Sequence, residues 1–171
     1  DMGGGSGYYA RRMARRVAPG GRVYCVDIQQ EMLDIMQRLA DRDGVTGIVP
    51  VLGDVDDPKL PDGEVDWIIL ADVYHEMSDY EAMLAGMRSS LAPGGRVALL
   101  EYRIEDGTGD NLKSDHAMSV RQVLAEWLPA GFALADLHEF LPGQHLFIMK
   151  VAGDAEVPGD PIINLDLFEA V

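Results

Sequence analysis

The 171 residues predict a doubly wound α/β fold, a mostly parallel sheet with helices on both faces, finished by a C-terminal antiparallel hairpin. Three observations carry this. Segments with helical periodicity alternate with short apolar runs through most of the chain. Four of the runs end on an acid, at Asp27, Asp54, Asp72 and Glu101. The last two runs, 132–140 and 145–151, are joined by Leu141-Pro142-Gly143-Gln144, a link that suits only an antiparallel pair.

The elements follow in order. Residues 1–7, DMGGGSG, form a glycine-rich loop that leads into a helix over 8–18, where Ala10, Met13, Ala14 and Val17 share one face and PGG makes the stop. RVYCVD, 22–27, is a buried strand. Met32, Ile35, Met36 and Leu39 line a second amphipathic helix. GIVPVLGD, 47–54, is a strand in which Pro50 marks an edge or irregular position. VDWIILAD, 65–72, is a strong strand. Ser78 and Glu81 have capping-box spacing before a helix carrying Tyr80, Met83, Leu84, Met87 and Leu91. PGG ends that helix and RVALLEY, 96–102, is the next strand. APGGRV thus occurs at 18–23 and 92–97 as the same punctuation between helix and strand. Residues 103–117 are polar and read as a loop. Ser119 and Gln122 form a second capping box, for a helix with Val120, Val123, Leu124, Trp127 and Leu128 inward, and Gly131 is a C-cap candidate. Residues 1–151 make one domain and 152–171 a tail or arm.

Charge and composition exclude several classes. The formal net charge is −15, from 14 basic and 29 acidic side chains, which repels phosphate backbones, so no nucleic-acid partner is expected. The cluster Arg11, Arg12, Arg15 and Arg16 reads as a solvated helix face. No apolar run approaches the roughly 18 residues of a membrane span, so no membrane partner is expected. The one cysteine, Cys25, forms no internal disulfide and reads as a small buried hydrophobe. No two histidines have the i,i+4 spacing of a helical metal site, and no metal is expected. The chain shows no signal peptide, and the expected location is cytoplasmic.

A loop with Gly3, Gly4, Gly5 and Gly7 lets main-chain N–H groups approach a ligand, and the helix N-terminus behind it favours an anionic group. The dinucleotide spacing G-x-G-x-x-G fails here, because counting from Gly3 and Gly5 puts Tyr8 at the third position. The spacing present is D-x-G-x-G-x-G.

In DMGGGSG, in Asp27 about 20 residues past the loop, in Asp54 of LGD, in LAPGGRVALLE and in the final hairpin, the sequence resembles the class I S-adenosylmethionine-dependent methyltransferases. The resemblance covers Asp1 to about Val151. It implies a Rossmann-like sheet, S-adenosylmethionine as cofactor and methyl transfer as the activity. The N–H groups of Gly3, Gly5 and Gly7 then suit the cofactor carboxylate and Asp1 its ammonium. Asp27 suits the ribose hydroxyls, Asp54 the adenine amine, and Ile28 and Val55 the two faces of the adenine. An acidic rim suits a cationic cofactor and opposes a pyrophosphate, which disfavours a nicotinamide oxidoreductase.

Methyl transfer is an in-line displacement, in which orienting the nucleophile is worth ~7–11 kcal/mol. A general base helps only where the nucleophile carries a proton. His75 in ADVYHEM, just past the fourth strand, is the candidate base, with Asp72 and Tyr74 beside it; Tyr74 either lines the methyl site or packs. Arg103 reads as a surface arginine, His116 as a cover for the site and His138 as structural. The Asn/Asp-Pro-Pro-aromatic motif of amino-group methylation is replaced by DVYH, so the expected acceptor is a small molecule. The alternative is a non-catalytic cofactor-binding domain.

The first strand of such a sheet should end at the acid before the glycines, which is Asp1, so it has no sequence here. Two completions are expected: an upstream segment, or the apolar tail PIINLDLFEAV filling the slot in this chain or, by strand exchange, in a homodimer.

Overall fold

The computed structural model describes residues 1–105 and 116–154. The chain divides into two compact units, one ending at Asp54 and one beginning at Val55. The tail from residue 155 on, and with it the expectation that the tail fills the strand slot, lies outside the described residues, as do residues 106–115 of the predicted loop.

The first unit contains α1 (Tyr8–Val17), β1 (Val23–Asp27), α2 (Gln30–Arg42) and β2 (Ile48–Leu52). β1 and β2 are parallel, in register from Val23 opposite Ile48 to Asp27 opposite Leu52. Ala10 and Ala14 of α1, Val23 and Cys25 of β1, and Leu33, Met36 and Ala40 of α2 form one buried cluster. The small residues of α1 let its backbone lie close to the strand. The buried face of α2 is turned by about one position from the sequence expectation: Leu33, Met36 and Ala40 are buried, while Met32, Ile35 and Leu39 are half-buried. Met36, common to both faces, fills the space that the missing Cβ of Gly7 leaves. Pro50 sits opposite Cys25, and among the described residues β2 pairs with β1 alone, so the proline withholds a donor where none is needed.

The other side of β1 is met by the first residues of the chain. The Val26 N–H donates to Asp1 O (2.8 Å), the Gly4 N–H donates to Val26 O (2.9 Å), and Met2 bridges Val26 in the parallel sense. Asp1 therefore stands where the strand preceding the glycine loop should end.

The second unit contains β3 (Val65–Ala71), a 3-10 turn (Tyr74–Glu76), α3 (Tyr80–Ser90), β4 (Leu91–Tyr102), α4 (Val120–Trp127), β5 (Phe132–His138) and β6 (Gln144–Val151). Its sheet runs β3-β4-β6-β5. β3 and β4 are parallel, while β6 is antiparallel to both β4 and β5, so the terminal hairpin is as predicted. Trp127 packs on Phe132 with centroids 4.9 Å apart, and both are fully buried.

Three local expectations change. Asp79, not Ser78, caps α3, its Oδ1 accepting from the Ala82 N–H at 3.3 Å. Ser119 caps α4 as expected, at 3.0 Å from the Gln122 N–H, but the Gln122 amide bonds forward to Glu126 and the box stays half closed. The second APGG lies inside a strand: β4 starts at Leu91, and the partners shift from Val65–Leu91 to Trp67–Arg96. The glycines bulge the strand there, with Gly94 at φ 83°. Among the described residues no helix is long and apolar enough to cross a membrane.

Candidate active site

The glycine loop is shaped by three left-handed residues, Gly3, Gly5 and Gly7, at φ 60°, 52° and 77°. Gly4 between them is pressed on β1, where a Cβ would lie 2.5 Å from Cys25 Sγ. Gly5 is the opposite case, with nothing within 4 Å of where its Cβ would be. Its N–H donates to Asp27 Oδ2 at 2.9 Å, and the Gln29 N–H donates to Oδ1 at 2.9 Å. Asp27, at the carboxyl end of β1, is thus fixed from both sides and only 8% exposed. Each oxygen keeps a second acceptor position, the requirement for holding a diol. Asp1 has a structural duty: its Oδ2 accepts from the Ala10 N–H at 2.8 Å, satisfying a first-turn donor of α1. Ile28 (58% exposed) and Leu52 (45%) present apolar surface at the strand ends, and Asp54 is exposed. Nothing local in the sequence marks Leu52, which reads as ordinary strand interior.

In the second unit, Asp72 follows β3 with φ 52°, a conformation that L-residues adopt at a cost and that gathers at functional turns. Its N–H donates to Leu100 O (2.9 Å), and both of its oxygens accept from Gln144 Nε2, at 2.9 and 2.8 Å. Burial raises the Asp72 pKa, and the Gln144 amide opposes the shift. Tyr74 packs: it is buried against Trp127, and its hydroxyl donates to Glu126 Oε2 at 2.8 Å. Burial first, then Glu126, push its phenol well above the ordinary range.

His75 is held by Glu101. Its Nδ1 lies 2.7 Å from Glu101 Oε2, while Oε1 of the same carboxylate accepts the N–H groups of Tyr74 (2.9 Å) and His75 (3.3 Å). Glu101 is fully buried; desolvation raises its pKa and the hydrogen bond from His75 opposes this. An acceptor so engaged places the ring proton on Nδ1 and the lone pair on Nε2. Nε2 is buried without a hydrogen-bond partner among the described residues. His116 approaches the same ring, with centroids 4.9 Å apart. Val55, at the start of this unit, is 54% exposed.

A model of the methyltransferase domain matches residues 1–95. The chain belongs to the methyltransferase domain family. Among curated relatives, the ubiquinone/menaquinone biosynthesis C-methyltransferase UbiE of Cupriavidus pinatubonensis is 35% identical over 103 residues, 60% of this chain and 42% of that one. The protein of the same name from Bordetella avium is 36% identical over 105 residues, 60% and 40% of the two chains. The chain therefore spans about two fifths of the length of these relatives. In fold, this methyltransferase domain is similar to a SAM dependent methyltransferase from Aquifex aeolicus, with a TM-score of 0.80 at 21% identity over 89% of this chain and 80% of that one. It is also similar to a putative type 11 methyltransferase from Sulfolobus solfataricus, with a TM-score of 0.70 at 20% identity over 92% and 85% of the two chains.

Two residues of the methyltransferase domain carry more than the sequence assigned them. Glu101 ranked only as a rim acid, although it fixes the His75 ring. Gln144 ends the predicted hairpin link in the sequence, and in the fold it clamps Asp72; its position opposite Tyr102 carries it there. Arg103, expected on the surface, pairs with Glu139 (2.9 Å) and donates to Leu141 O (2.7 Å). His145 faces Glu139 (2.7 Å) and Glu105 (2.9 Å), one at each ring nitrogen. His138 lies 3.4 Å from Asp136.

Proposed function

We propose that the chain is the catalytic domain of an S-adenosylmethionine-dependent methyltransferase acting on a small-molecule acceptor. One observation carries the donor side: the Gly5 N–H is tied to Asp27 while the space over Gly5 is open to 4 Å. A side chain at position 5 would project into that open space, and the bare main chain leaves it to a ligand. The residues fit the cofactor on that ground. When bound, S-adenosylmethionine supplies a methyl group already activated by its sulfonium.

The roles then follow from chemistry. The Gly3 N–H, in the loop that opens α1, suits the cofactor carboxylate, which a helix N-terminus favours, whereas the N–H groups of Gly5 and Gly7 are given to Asp27 and to Gly4 O. Asp27 accepts from the ribose hydroxyls, and Asp54 accepts from the adenine amine. Ile28 and Leu52 offer apolar surface for the adenine. His75, oriented by Glu101, accepts the proton that a hydroxyl or acidic carbon of the acceptor loses. The curated relatives are named for C-methylation in quinone biosynthesis, so hydroxylated aromatic rings head the panel of acceptors. The lone cysteine, Cys25, is buried and free, which suits residence in the reducing cytoplasm.

Calorimetry with S-adenosylmethionine, its demethylated product and NAD tests the donor side. Binding of the first two and not of NAD is expected, and loss of binding in Asp27→Ala. Equal binding of NAD, or none of S-adenosylmethionine, overturns the reading. Binding without methyl transfer to any acceptor would favour the non-catalytic alternative.

A further inference from the structure

We propose that His75, His116 and Glu76 form a binding site for a divalent transition metal of the zinc class, with a ligand position left open. One ligand atom from each of the three residues lies within 4.8 Å of the other two. This inference goes beyond methyl transfer and does not rest on it.

Four features point to an ion. The first is His75 itself: a ring whose Nδ1–H is bound by a buried carboxylate, here Glu101 at 2.7 Å, is the usual outer-shell arrangement of a metal-binding histidine. It fixes the ring and makes Nε2 the better donor. The second is Nε2, buried on a side chain 6% exposed and lacking a hydrogen-bond partner among the described residues. A buried lone pair without a donor is a defect in a folded protein unless something binds it. The third is the pair of neighbours: Glu76 Oε1 lies 4.0 Å from Nε2, too long for a hydrogen bond, and the His116 ring is tilted 49° to the His75 ring and not stacked on it. The fourth is the donor set. Two imidazoles and one carboxylate suit zinc, cobalt, nickel or copper, whereas magnesium and calcium prefer all-oxygen sites.

Geometry sets what binding requires. With bonds of about 2.0–2.1 Å, tetrahedral ligand atoms stand roughly 3.4 Å apart. The three atoms must therefore close in. Glu76, whose side chain is 62% exposed, is the one with freedom to move. Three protein ligands leave the fourth position to water or to an oxygen of a bound small molecule, the pattern of catalytic zinc. The ion would occupy the lone pair that otherwise accepts a proton, so His75 holds either the metal or the acceptor's proton, never both. The sequence expectation of no metal rested on the lack of an i,i+4 histidine pair; these ligands come instead from the 3-10 turn and from the residues leading into α4.

The test uses the whole chain, stripped with a chelator and then titrated with Zn2+ against a competing dye and with Co2+ followed in the visible. The expected result is one ion per chain, a four-coordinate cobalt spectrum and a melting temperature raised by Zn2+. Glu76→Gln, at an exposed position, and His116→Asn should each weaken Zn2+ binding about tenfold or more while circular dichroism is unchanged. Glu101→Gln should weaken it by about 10–100-fold through loss of ring orientation. His138→Asn should leave it as it was. Zn2+ affinity that is the same in Glu76→Gln and His116→Asn as in the unmodified chain, or an absent cobalt spectrum, overturns the proposal.

Discussion

Glu101 Oε2 stands 2.7 Å from His75 Nδ1, and the other oxygen of that carboxylate holds the backbone of the turn carrying the ring. One fully buried acid on β4 thereby sets both where the imidazole is and which of its nitrogens is bare.

If that nitrogen accepts a proton from the acceptor, His75→Gln should lower kcat by about 10²–10⁴-fold. Affinity for S-adenosylmethionine, measured by calorimetry, should stay within error. A substrate already ionised at the assay pH should escape most of the loss, which a merely structural histidine would not allow.

The stability of the fold should carry the mark of Glu101. Its folded pKa lies above the ordinary 4.5, because burial disfavours the charge. The folded state therefore binds the proton more tightly than the unfolded one. The contribution is fully present below about pH 4.5 and is lost as the pH rises through the raised value. Asp72 is shifted in the same direction. Urea unfolding at a series of pH values should show Glu101→Gln gaining on the unmodified chain as the pH rises across that window. A difference that is flat with pH would contradict the assignment.

Two glycines of the loop should fail in different ways. Gly4→Ala drives a methyl to 2.5 Å from Cys25 Sγ, and overpacking of that kind costs ~1–3 kcal/mol. Gly5→Ala meets no atom within 4 Å and pays only for its φ of 52°, ~1–2 kcal/mol. Gly5→Val should abolish S-adenosylmethionine binding in a chain that still folds. Thermal melts paired with calorimetry separate the cases.

The cap of α3 offers a clean contrast. Asp79→Ala should cost ~1 kcal/mol in urea unfolding, since its carboxylate holds the Ala82 N–H. Ser78→Ala should cost nothing measurable.

Periodicity and strand-end acids made most of the fold legible: the alternation, the hairpin, the edge position of Pro50 and the glycine loop all follow from local pattern. What escaped was set by contacts between distant residues. The packing of Met36 uses the space over Gly7, which no helical wheel contains. The early start of β4 depends on a bulge opposite Val65 and Trp67. In the candidate site, the place of Asp27 at the end of β1 was legible from the apolar run before it. The partnership of His75 with Glu101 was not, because the two meet only once β3 and β4 are in register. The sequence leaves Tyr74 open between lining the site and packing, and only the fold shows its ring on Trp127 and its hydroxyl on Glu126.

The Gln144 amide that grips Asp72 lies 72 residues further along the chain. During synthesis the acid leaves the ribosome long before its clamp does. A nascent chain halted ahead of β6 would hold β4 with one bare edge and Asp72 with no side-chain amide to orient it. The fixed geometry of this carboxylate is thus a late event in the life of each molecule, completed by the final hairpin rather than by the strand that bears the acid.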